Sequence, residues 1–318
     1  MTGAAEIGVV DVVVAAFECA GTIERAVLSA LAEPQVGRVF VVDDASGDET
    51  VARATALAER DPRVVVRQLS INSGPSAARN LGFSLGAAPW VAPLDGDDYF
   101  RPGRLARLLQ AADGFDFVAD DIIQIDATAP DGLASSRTLM GLRSRRQLDF
   151  AAFVAGNVKN RARRSELGFL KPLMRRSFLD RHGLHYANEL RLGEDYALYA
   201  QALALGARFL VLPASGYVAI VRENSLSGLH SRHDLERLRD FDGRLAAAFD
   251  LRPAERRALR RHMLSIDARV RWLAVIDGFK ARNLRAFFAP FAAPPQIVGF
   301  LMRQLFAEGM RRAVRIAR

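Results

Sequence analysis

The sequence predicts an α/β fold with a mixed, mostly parallel sheet flanked by helices. From the N-terminus to about residue 125, short β-branched runs alternate with longer stretches of helical periodicity, the pattern of βαβ units. The strands are continuous apolar runs, which indicates burial on both faces of the sheet. Only helical patterns follow residue 228. We therefore expect an α/β domain over residues 1–228 and a basic, helical C-terminal region over residues 229–318.

Each element of the first part follows from a local pattern. Residues 9–16 form a β-branched run, and apolar residues then recur at helical spacing over residues 20–33. The same alternation continues further along the chain. It predicts strands at 39–42, 64–69, 90–94 and 115–125, and helices at 48–60 and 75–86.

The pattern weakens beyond residue 126. Residues 127–147 contain Pro, Gly, Ser and Arg without a clear period, and we expect a long loop of the kind that often acts as a lid. The rest of the domain is predicted as a strand at 171–176, helices at 177–182 and 194–205, and a strand at 208–212. Helices are predicted afterwards at 234–249, 253–276, 282–288 and 297–316.

The composition excludes several classes of protein. Of the 318 residues 50% are hydrophobic and 25% charged, which is typical of a globular chain and not of a disordered or fibrous one. The single cysteine, Cys19, can form neither an internal disulfide nor a cysteine metal cluster, which favours a reducing, cytoplasmic compartment. The apolar stretch 7–17 lacks a basic flank and contains Asp11, so we expect no signal peptide. The longest uncharged stretch, 286–302, is too short to span a membrane.

The net charge of +8 is distributed unevenly. Residues 251–318 contain fifteen basic and four acidic residues, so the rest of the chain is net acidic. One interpretation of this tail is a solvated basic face. The other is an interfacial helix over 297–318, where arginines flank an apolar side and bind the anionic inner face of the plasma membrane. That apolar side consists of Ile297, Phe300, Leu301, Leu305 and Phe306.

Carboxylates follow three of the predicted strands. The first strand ends in Phe17-Glu18, the second in Asp43-Asp44 and the fourth in Asp95-Gly96-Asp97-Asp98. Because ligands of parallel sheets bind beyond the carboxyl ends of the strands, we expect these groups to share one crevice. A divalent cation relieves their repulsion, and Mg²⁺ or Mn²⁺ held by one or two carboxylates and phosphate favours a nucleotide diphosphate as ligand. Alternatively, each cluster only supplies turn and helix-cap residues.

Two more motifs place polar groups near a helix start. Residues 72–82 enter the third helix, and Arg79 there either bonds a base carbonyl or a phosphate or is an ordinary solvated helix residue. Glu194 and Asp195 open a later helix, where the helix dipole favours acidic residues without any function. Alternatively, one of these carboxylates is a general base that takes the proton from an attacking hydroxyl.

The motifs together resemble those of family 2 glycosyltransferases, in the order and spacing of that family and over about residues 8–228. They lie at residues 12–18, 42–48, 72–82, 94–98 and 193–196. The resemblance implies a GT-A fold and an inverting mechanism. It also implies a nucleotide-diphosphate sugar donor, usually a UDP-sugar, bound with Mn²⁺ or Mg²⁺.

For the donor, the resemblance implies a role for each residue at the strand ends. Phe17 and Glu18 line the nucleoside pocket, and Asp43 or Asp44 bonds the base. Arg79 is the arginine that contacts the nucleotide. The first strand lacks the Pro, Tyr and Asn that the family usually shows, although Phe17 keeps its aromatic character.

For catalysis, the resemblance implies that Asp95 and Asp97 form the metal and diphosphate motif, with Asp97 as the direct ligand. Asp195 matches the catalytic base, and Glu194 orients the acceptor or the base. Arg222 begins a stretch that closes the domain and contacts the diphosphate or the acceptor. The mechanism that follows is a single displacement in which configuration at the anomeric carbon inverts.

The predicted activity is addition of one sugar to a growing, lipid-linked glycan in exopolysaccharide or surface-polysaccharide biosynthesis. A sugar-nucleotide nucleotidyltransferase is an alternative, but it would carry a Gly-rich, basic loop after the first strand, and no Lys or Arg precedes Arg25. A nucleic-acid-binding protein is suggested by the isoelectric point near 10.3. Because residues 1–250 are net acidic, we expect no nucleic acid partner.

Overall fold

The protein is described by a computed structural model that covers residues 8–128, 135–158, 167–221 and 231–316, with side chains up to residue 308. The chain divides into two compact units, Met1–Gly228 and Leu229–Arg318. Every described strand lies in the first unit, and the described part of the second unit is helical.

The first unit begins with three strand–helix pairs and a fourth strand. These are β1 (Val10–Ala16), α1 (Ile23–Leu31), β2 (Val36–Asp43), α2 (Thr50–Arg60), β3 (Val64–Gln68), α3 (Pro75–Leu85) and β4 (Trp90–Asp95). Pro75 suits the first turn of α3 because that position needs no backbone donor. A Cβ on Gly82 would lie 2.3 Å from Val13 Cγ1, so the glycine lets α3 approach β1 closely. That approach places Arg79 of α3 over the sheet edge.

The rest of the unit contains shorter elements. They are β5 (Tyr99–Phe100), α4 (Arg104–Gln110), β6 (Phe117–Asp120), β7 (Ile123–Asp126), β8 (Arg137–Thr138), β9 (Arg146–Leu148), α5 (Phe150–Gly156), β10 (Leu173–Arg175), α6 (Arg176–His182), α7 (Glu194–Ala204), β11 (Phe209–Leu212) and β12 (Tyr217–Val221). A 3-10 turn at Leu167–Phe169 leads into β10. Gly193 precedes α7 with φ 73°, a left-handed conformation that glycine adopts without strain.

The main sheet has eight strands in the order β3-β2-β1-β4-β10-β6-β11-β9. β10 runs antiparallel to both of its neighbours, and β9 runs antiparallel to β11. The other described pairings of this sheet are parallel. The predicted α/β class with a mixed, mostly parallel sheet is therefore confirmed.

A second sheet was not predicted. Its four strands have the order β5-β12-β7-β8. The single strand predicted at 115–125 is wrong: β6 belongs to the main sheet and β7 to the small one. The chain changes sheet at Asp121 and Ile122, where the buried Asp121 carboxylate accepts hydrogen bonds from the backbone of Met140 and Leu142 at 2.8 and 3.1 Å. The hydrogen bonds from these two backbone N–H groups thus stand where one continuous strand over 115–125 would pair with its neighbours.

The long loop predicted at 127–147 is interrupted by two short strands where the structure describes it. β8 pairs antiparallel with β7, and β9 pairs antiparallel with β11. Both strands are too short and too polar to show a strand period in the sequence. Residues 129–134 of this stretch lie outside the described residues.

The second unit contains α8 (Arg232–Ala248), α9 (Pro253–Lys280), α10 (Leu284–Phe288) and α11 (Pro295–Ile316). Ile297 and Leu301 of α11 are buried against Ala268 and Val275 of α9. Ile297 and Leu301 belong to the apolar side predicted to face lipid and pack within the unit, whereas Phe306 of the same side is 74% exposed. The interfacial helix over 297–318 therefore stays a prediction. Among the described residues, no helix is long and apolar enough to cross a membrane.

Candidate active site

The carboxyl ends of the central strands form one edge of the main sheet. In the register of β1 with its neighbours, Ala16 lies opposite Asp43 of β2, and Ala15 lies opposite Asp95 of β4. The structure therefore brings the acidic motifs of β2 and β4 to the same edge of the sheet, on either side of β1. This is the place where ligands of open parallel sheets bind.

The carboxylates after β2 hold the loops of this edge in place. Asp44 is buried and accepts hydrogen bonds from the backbone N–H groups of Ser73 and Gly74 at 2.7 and 2.8 Å. The buried Asp43 accepts from the backbone N–H of Ser46 at 2.9 Å. Both aspartates were predicted as candidates for bonding the base, and the structure shows each of them stabilising the turn or the helix start that borders the crevice.

The loop after β1 is joined to the loop after β2. Glu18 has φ 47°, in the left-handed region, and its carboxylate accepts from the backbone N–H of Gly47 at 2.7 Å. Its own backbone N–H donates to Ser46 Oγ at 2.9 Å. Phe17 is 41% exposed beside it, which is unusual for an aromatic side chain at the end of a buried strand. An exposed ring on a fixed loop is available for stacking on a flat ligand.

Four side chains from four separate segments of the chain form a ring of alternating charge, here called the charge ring: Asp95, Arg79, Asp195 and Lys171. Arg79 Nη2 lies 2.6 Å from Asp95 Oδ1, and its Nη1 lies 3.6 Å from Asp195 Oδ1. Lys171 Nζ lies 2.6 Å from Asp195 Oδ2 and 3.0 Å from Asp95 Oδ2. Each cation thus bridges both carboxylates, so the end of β4 and the start of α7 are held in one arrangement.

Glu194 extends the charge ring on the side of Arg79. Its Oε1 accepts from Arg79 Nη1 at 2.9 Å. Arg79 is itself only 3% exposed, and its guanidinium carbon lies 5.2 Å from the ring centre of Tyr186. The alternative of a solvated Arg79 is therefore wrong, because the side chain is buried between carboxylates and an aromatic ring.

The surroundings of the site shift the pKa values of Asp95 and Glu194 in opposite directions. Burial alone would raise the pKa of Asp95, but Lys171 and Arg79 outweigh it and hold that pKa well below its usual range. The pKa of Glu194 is raised, first by burial and then by the neighbouring Asp195 charge. Lys171 keeps a raised pKa despite its burial because Asp195 and Asp95 face it. Asp95 is therefore an anion at any working pH, whereas Glu194 takes up a proton more readily than an ordinary glutamate.

Lys171 is the site residue that sequence reasoning missed. It precedes β10 and is 5% exposed, and its backbone carbonyl accepts from Arg104 Nη2 at 2.6 Å. The sequence does carry a signal, since Lys171 is the one charged residue between Gly168 and Met174. A charge within an apolar run that forms a buried element needs a partner, and that requirement points to a site.

The three aspartates at the end of β4 and in the turn after it, Asp95, Asp97 and Asp98, have different surroundings. Both oxygens of Asp95 are engaged in the charge ring. Asp98 is buried and accepts from Tyr217 Oη at 2.7 Å and from the backbone N–H of Ile220 at 2.9 Å. Burial, followed by the charges of Asp95 and Asp97, raises the pKa of Asp98 to about 8. Asp97 is half-buried, and its backbone carbonyl accepts from Arg25 at 2.8 Å.

This arrangement bears on the divalent cation that the resemblance implies. Among the residues that the structure describes, no three His, Cys, Asp or Glu side chains are grouped so as to hold an ion by themselves. Mg²⁺ is usually held by one or two carboxylates and completes its shell with substrate phosphate and water. The residues therefore fit a cation that arrives with a diphosphate and takes Asp97 as a protein ligand. Arg222, the remaining predicted site residue, lies outside the described residues.

Curated relatives match almost the whole chain. It is 44% identical over 310 residues to the succinoglycan biosynthesis protein ExoU of Rhizobium meliloti, covering 95% of this chain and 89% of the relative. It is 34% identical over 311 residues to the succinoglycan biosynthesis protein ExoO of the same organism, covering 96% and 87%.

Solved structures with the same fold are more distant in sequence. The S. aureus TarS fragment 1–349 in complex with UDP-GlcNAc superposes with a TM-score of 0.63 at 17% identity, over 88% of this chain and 90% of that one. The mannosyltransferase PcManGT from Pyrobaculum calidifontis, in complex with GDP-Man and Mn²⁺, gives a TM-score of 0.60 at 16% identity, over 96% and 80%. These likenesses confirm the GT-A fold.

A family model described as glycosyl transferase family 2 matches residues 11–164, which include the strand-end motifs as far as Asp98. The charge ring adds Lys171 and Asp195 from beyond that match. Together with the 44% identity to a relative of nearly the same length, the match shows the family and confirms that the protein is an enzyme. The chain belongs to glycosyl transferase family 2.

Proposed function

We propose that this glycosyltransferase moves a sugar, with inversion, from a nucleotide-diphosphate donor to a hydroxyl of a growing glycan in polysaccharide biosynthesis. The observation that carries the proposal is the charge ring, in which Asp195 is held beside the donor motif residue Asp95 through Arg79 and Lys171. The relatives named for succinoglycan biosynthesis support the pathway class. The neighbour solved with UDP-GlcNAc supports a UDP-sugar as the donor.

In the proposed reaction Asp195 acts as the general base. It takes the proton from the acceptor hydroxyl as the new bond to the anomeric carbon forms, while the bond to the diphosphate breaks on the opposite face. One displacement on one face inverts the configuration. Glu194 accepts from Arg79 at 2.9 Å beside the base, a position that suits orienting the acceptor. Holding both substrates in line supplies much of the rate, since no covalent intermediate with the protein is needed.

Asp97 is proposed to hold a Mn²⁺ or Mg²⁺ ion together with the donor diphosphate, with Asp95 beside it. When bound, such a cation neutralises charge on the departing diphosphate. The neighbour solved with GDP-Man and Mn²⁺ supports this assignment. Asp95 keeps Arg79 and Lys171 at the edge of the crevice, where their charges also favour an anionic donor.

The nucleoside is proposed to lie against the loops after β1 and β2. The exposed Phe17 ring offers a stacking surface, and Glu18 is held beside it by its hydrogen bond with Gly47. Asp43 and Asp44 are proposed to contribute to the base contact through the loops they fix. Arg222 is proposed to contact the diphosphate or the acceptor.

We propose a lipid-linked glycan as the acceptor, with the enzyme working at the cytoplasmic face of the plasma membrane. The relatives named for succinoglycan biosynthesis and the basic C-terminal unit support this part of the proposal. The matching family of sugar-transferring enzymes disfavours both the nucleotidyltransferase and the nucleic-acid-binding alternatives.

Thermal unfolding in the presence of sugar nucleotides tests the donor assignment. A ligand that binds only the native state at a hundred times its Kd stabilises it by about 2.7 kcal/mol, so a UDP-sugar with Mn²⁺ should raise the melting temperature clearly. GDP- and dTDP-sugars, each with and without Mn²⁺, serve as comparisons. Failure of every sugar nucleotide to shift the transition would contradict the proposal.

The variant Asp195→Asn tests the base. The amide keeps the shape of the side chain but cannot take a proton, so we expect transfer to fall by a factor of about 10² to 10⁴ while the donor still raises the melting temperature. Asp113→Asn, at an exposed aspartate, is the matched control and should transfer sugar normally. The anomeric coupling of the product in proton NMR reports inversion. If donor binding is lost in Asp195→Asn, the residue belongs to the donor site and not to the base.

A further inference from the structure

The exposed apolar side chains of the second unit are concentrated in one short stretch. Of the nine large apolar residues that are exposed among the described residues, five lie between Phe279 and Phe306. Phe279 is 56% exposed, Leu284 74% and Phe288 61%. Single exposed apolar residues are ordinary, but a group of this kind on a soluble surface marks a site of interaction.

Three of these residues lie in residues 279–291, a segment that runs from the end of α9 through α10 and the 3-10 turn after it. This segment is here called the aromatic hairpin. Its phenylalanines form a continuous series: the ring centres of Phe279 and Phe287 are 6.4 Å apart, those of Phe287 and Phe288 4.9 Å, and those of Phe288 and Phe291 6.4 Å. Leu284 begins α10 between them. The phenylalanine rings of the hairpin therefore adjoin one another.

The hairpin is a well-defined structure and not an open end. Arg282 follows the end of α9 with φ 51°, and the backbone N–H of Asn283 donates to Gly278 O at 3.0 Å. The Asn283 side chain accepts from the backbone N–H of Ala286 at 3.0 Å and caps α10. A Cβ on Gly278 would lie 2.5 Å from the backbone nitrogen of Phe287, so glycine is required for α10 to lie against α9.

The charges within the hairpin have a single sign, and Asp277, whose side chain is 63% exposed, precedes the hairpin. Residues 278–307 contain six of the nineteen phenylalanines, four basic residues and neither Asp nor Glu. Lys280, Arg282 and Arg285 are exposed within the hairpin itself. Exposed phenylalanines next to exposed cations are the combination that binds the boundary between anionic lipid headgroups and acyl chains.

We infer that the aromatic hairpin is a membrane-docking surface whose partner is an anionic lipid bilayer. Phe279, Leu284 and Phe288 insert between headgroups, and Lys280, Arg282 and Arg285 lie against the lipid phosphates. Charge favours this partner over a second copy of the chain, because a two-fold interface through the hairpin would bring the same three cations of both copies together. The surface is distinct from Ile297 and Leu301 of α11, which are buried against α9.

Sedimentation with vesicles of phosphatidylglycerol and phosphatidylcholine in equal parts tests the inference on the full chain. The combined variant Phe279→Ser, Leu284→Ser, Phe288→Ser should bind vesicles with an affinity at least about tenfold below that of the wild type, at any salt concentration. The combined variant Lys280→Gln, Arg282→Gln, Arg285→Gln should lose the attraction that depends on salt and on phosphatidylglycerol. Vesicles of phosphatidylcholine alone should bind the wild type weakly.

Matched controls come from the same protein. Arg257→Gln, Arg260→Gln, Arg261→Gln removes the same charge from exposed positions of α9 outside the hairpin. Leu28→Ser removes an apolar side chain that is 47% exposed in α1. We expect both controls to bind vesicles as the wild type does. Equal melting temperatures establish that every variant is folded.

A fluorescent reporter locates the contact. Phe288→Trp should shift to shorter emission wavelengths on vesicle binding and be quenched by brominated acyl chains, and Leu28→Trp should do neither. Vesicle binding that survives the loss of all three hairpin side chains would overturn the inference. The inference would also be overturned if the wild-type protein did not bind anionic vesicles but self-associated through the hairpin in analytical ultracentrifugation. Because vesicle binding is measured without donor or acceptor, the result is separate from the proposed transferase activity.

Discussion

At the scale of single residues, the site uses two kinds of buried carboxylate. Asp44 is satisfied by two backbone N–H groups and serves the local fold. Asp95 and Asp195 are satisfied by the side chains of Arg79 and Lys171, which come from distant parts of the chain. A carboxylate held by side-chain cations can exchange them for ligand groups, whereas one held by backbone amides cannot move without rebuilding a loop.

Lys171→Met tests the role of the lysine as a positioning residue. Without the cation, Asp95 and Asp195 lose their shorter bridge, and we expect kcat to fall about a hundredfold. Because Lys171 is a main cause of the lowered pKa of Asp95, its loss makes protonation of the cluster easier, so the acidic limb of the kcat profile should move to higher pH.

Two comparisons separate positioning from folding in this experiment. Lys171→Arg keeps a cation at the same place and should recover part of kcat and most of the wild-type pH profile. Thermal unfolding reports any loss of structure in Lys171→Met. A folded Lys171→Met enzyme with wild-type kcat and an unchanged pH profile would show that the bridge does not matter for transfer.

At the scale of elements, one buried ion pair joins the two sheets and supports the site. Arg104 of α4 and Asp120 at the end of β6 are fully buried, with Nε and Oδ1 2.9 Å apart. Asp120 also accepts from the backbone N–H groups of Gly216 and Tyr217 at the start of β12. Since Arg104 donates in addition to the carbonyl of Lys171, the pair connects both sheets with the charge ring.

Arg104→Met should destabilise the protein strongly. The variant leaves Asp120 buried without its cation, and breaking a buried pair in this way costs about 3–5 kcal/mol. Urea unfolding measures the loss, and Arg107→Met, at an exposed arginine of the same helix, should cost less than about 1 kcal/mol. Equal unfolding free energies for the two variants would contradict the assignment.

The same pair predicts a pH dependence of stability. Burial would raise the pKa of Asp120, but Arg104 and the backbone donors outweigh it, so the folded-state pKa is lowered. A lowered pKa contributes stability that is present above the ordinary aspartate value and is lost as the pH falls through the acid range. The wild type should therefore lose stability below about pH 4, and part of that loss should be absent in Arg104→Met.

At the scale of the whole molecule, the basic and acidic residues are concentrated in different parts of the chain. Residues 251–318 contain fifteen basic and four acidic residues, whereas Asp95, Glu194 and Asp195 surround two cations at the edge of the main sheet. An acidic crevice repels a phosphate backbone and accepts a diphosphate best together with a divalent cation. The high isoelectric point thus describes the C-terminal residues and not the crevice.

Filter binding to double-stranded DNA with a salt titration checks this separation. Any retention should be independent of sequence and should fall steeply by about 0.15 M salt, because it comes from exposed basic residues alone. The shift in melting temperature caused by a UDP-sugar with Mn²⁺ should persist at the same salt concentration. Retention of one DNA sequence at that salt concentration would contradict the expected absence of a nucleic acid partner.

Much of the fold was predictable because its strands carry their own signal. β1, β2 and β4 are buried on both faces, so their apolar runs stand out in the sequence, and the turns after them carry the acidic motifs. The small sheet was not predictable in this way. β5 and β8 have two residues each, too few for a period to appear. β12 was not recognised although it is an apolar run of five residues.

The residues of the candidate site also differ in whether a local sequence pattern predicts them. The positions of Asp95 and Asp195 were predictable because each stands in a motif at the end of a strand or the start of a helix. Lys171 was not, since its importance comes from contacts with residues 24 and 76 positions away in the chain, and no local pattern encodes such a contact.

Local patterns in this chain therefore specify the α/β class, the edge of the sheet that carries the acidic motifs and the family to which the motifs point. Tertiary structure alone decides which carboxylates hold loops and which face cations, where the chain passes from one sheet to the other, and which apolar side of the C-terminal helices is covered. The physical reason is that propensity and periodicity act between near neighbours. Burial and ion pairing depend instead on which distant segments meet in the folded chain.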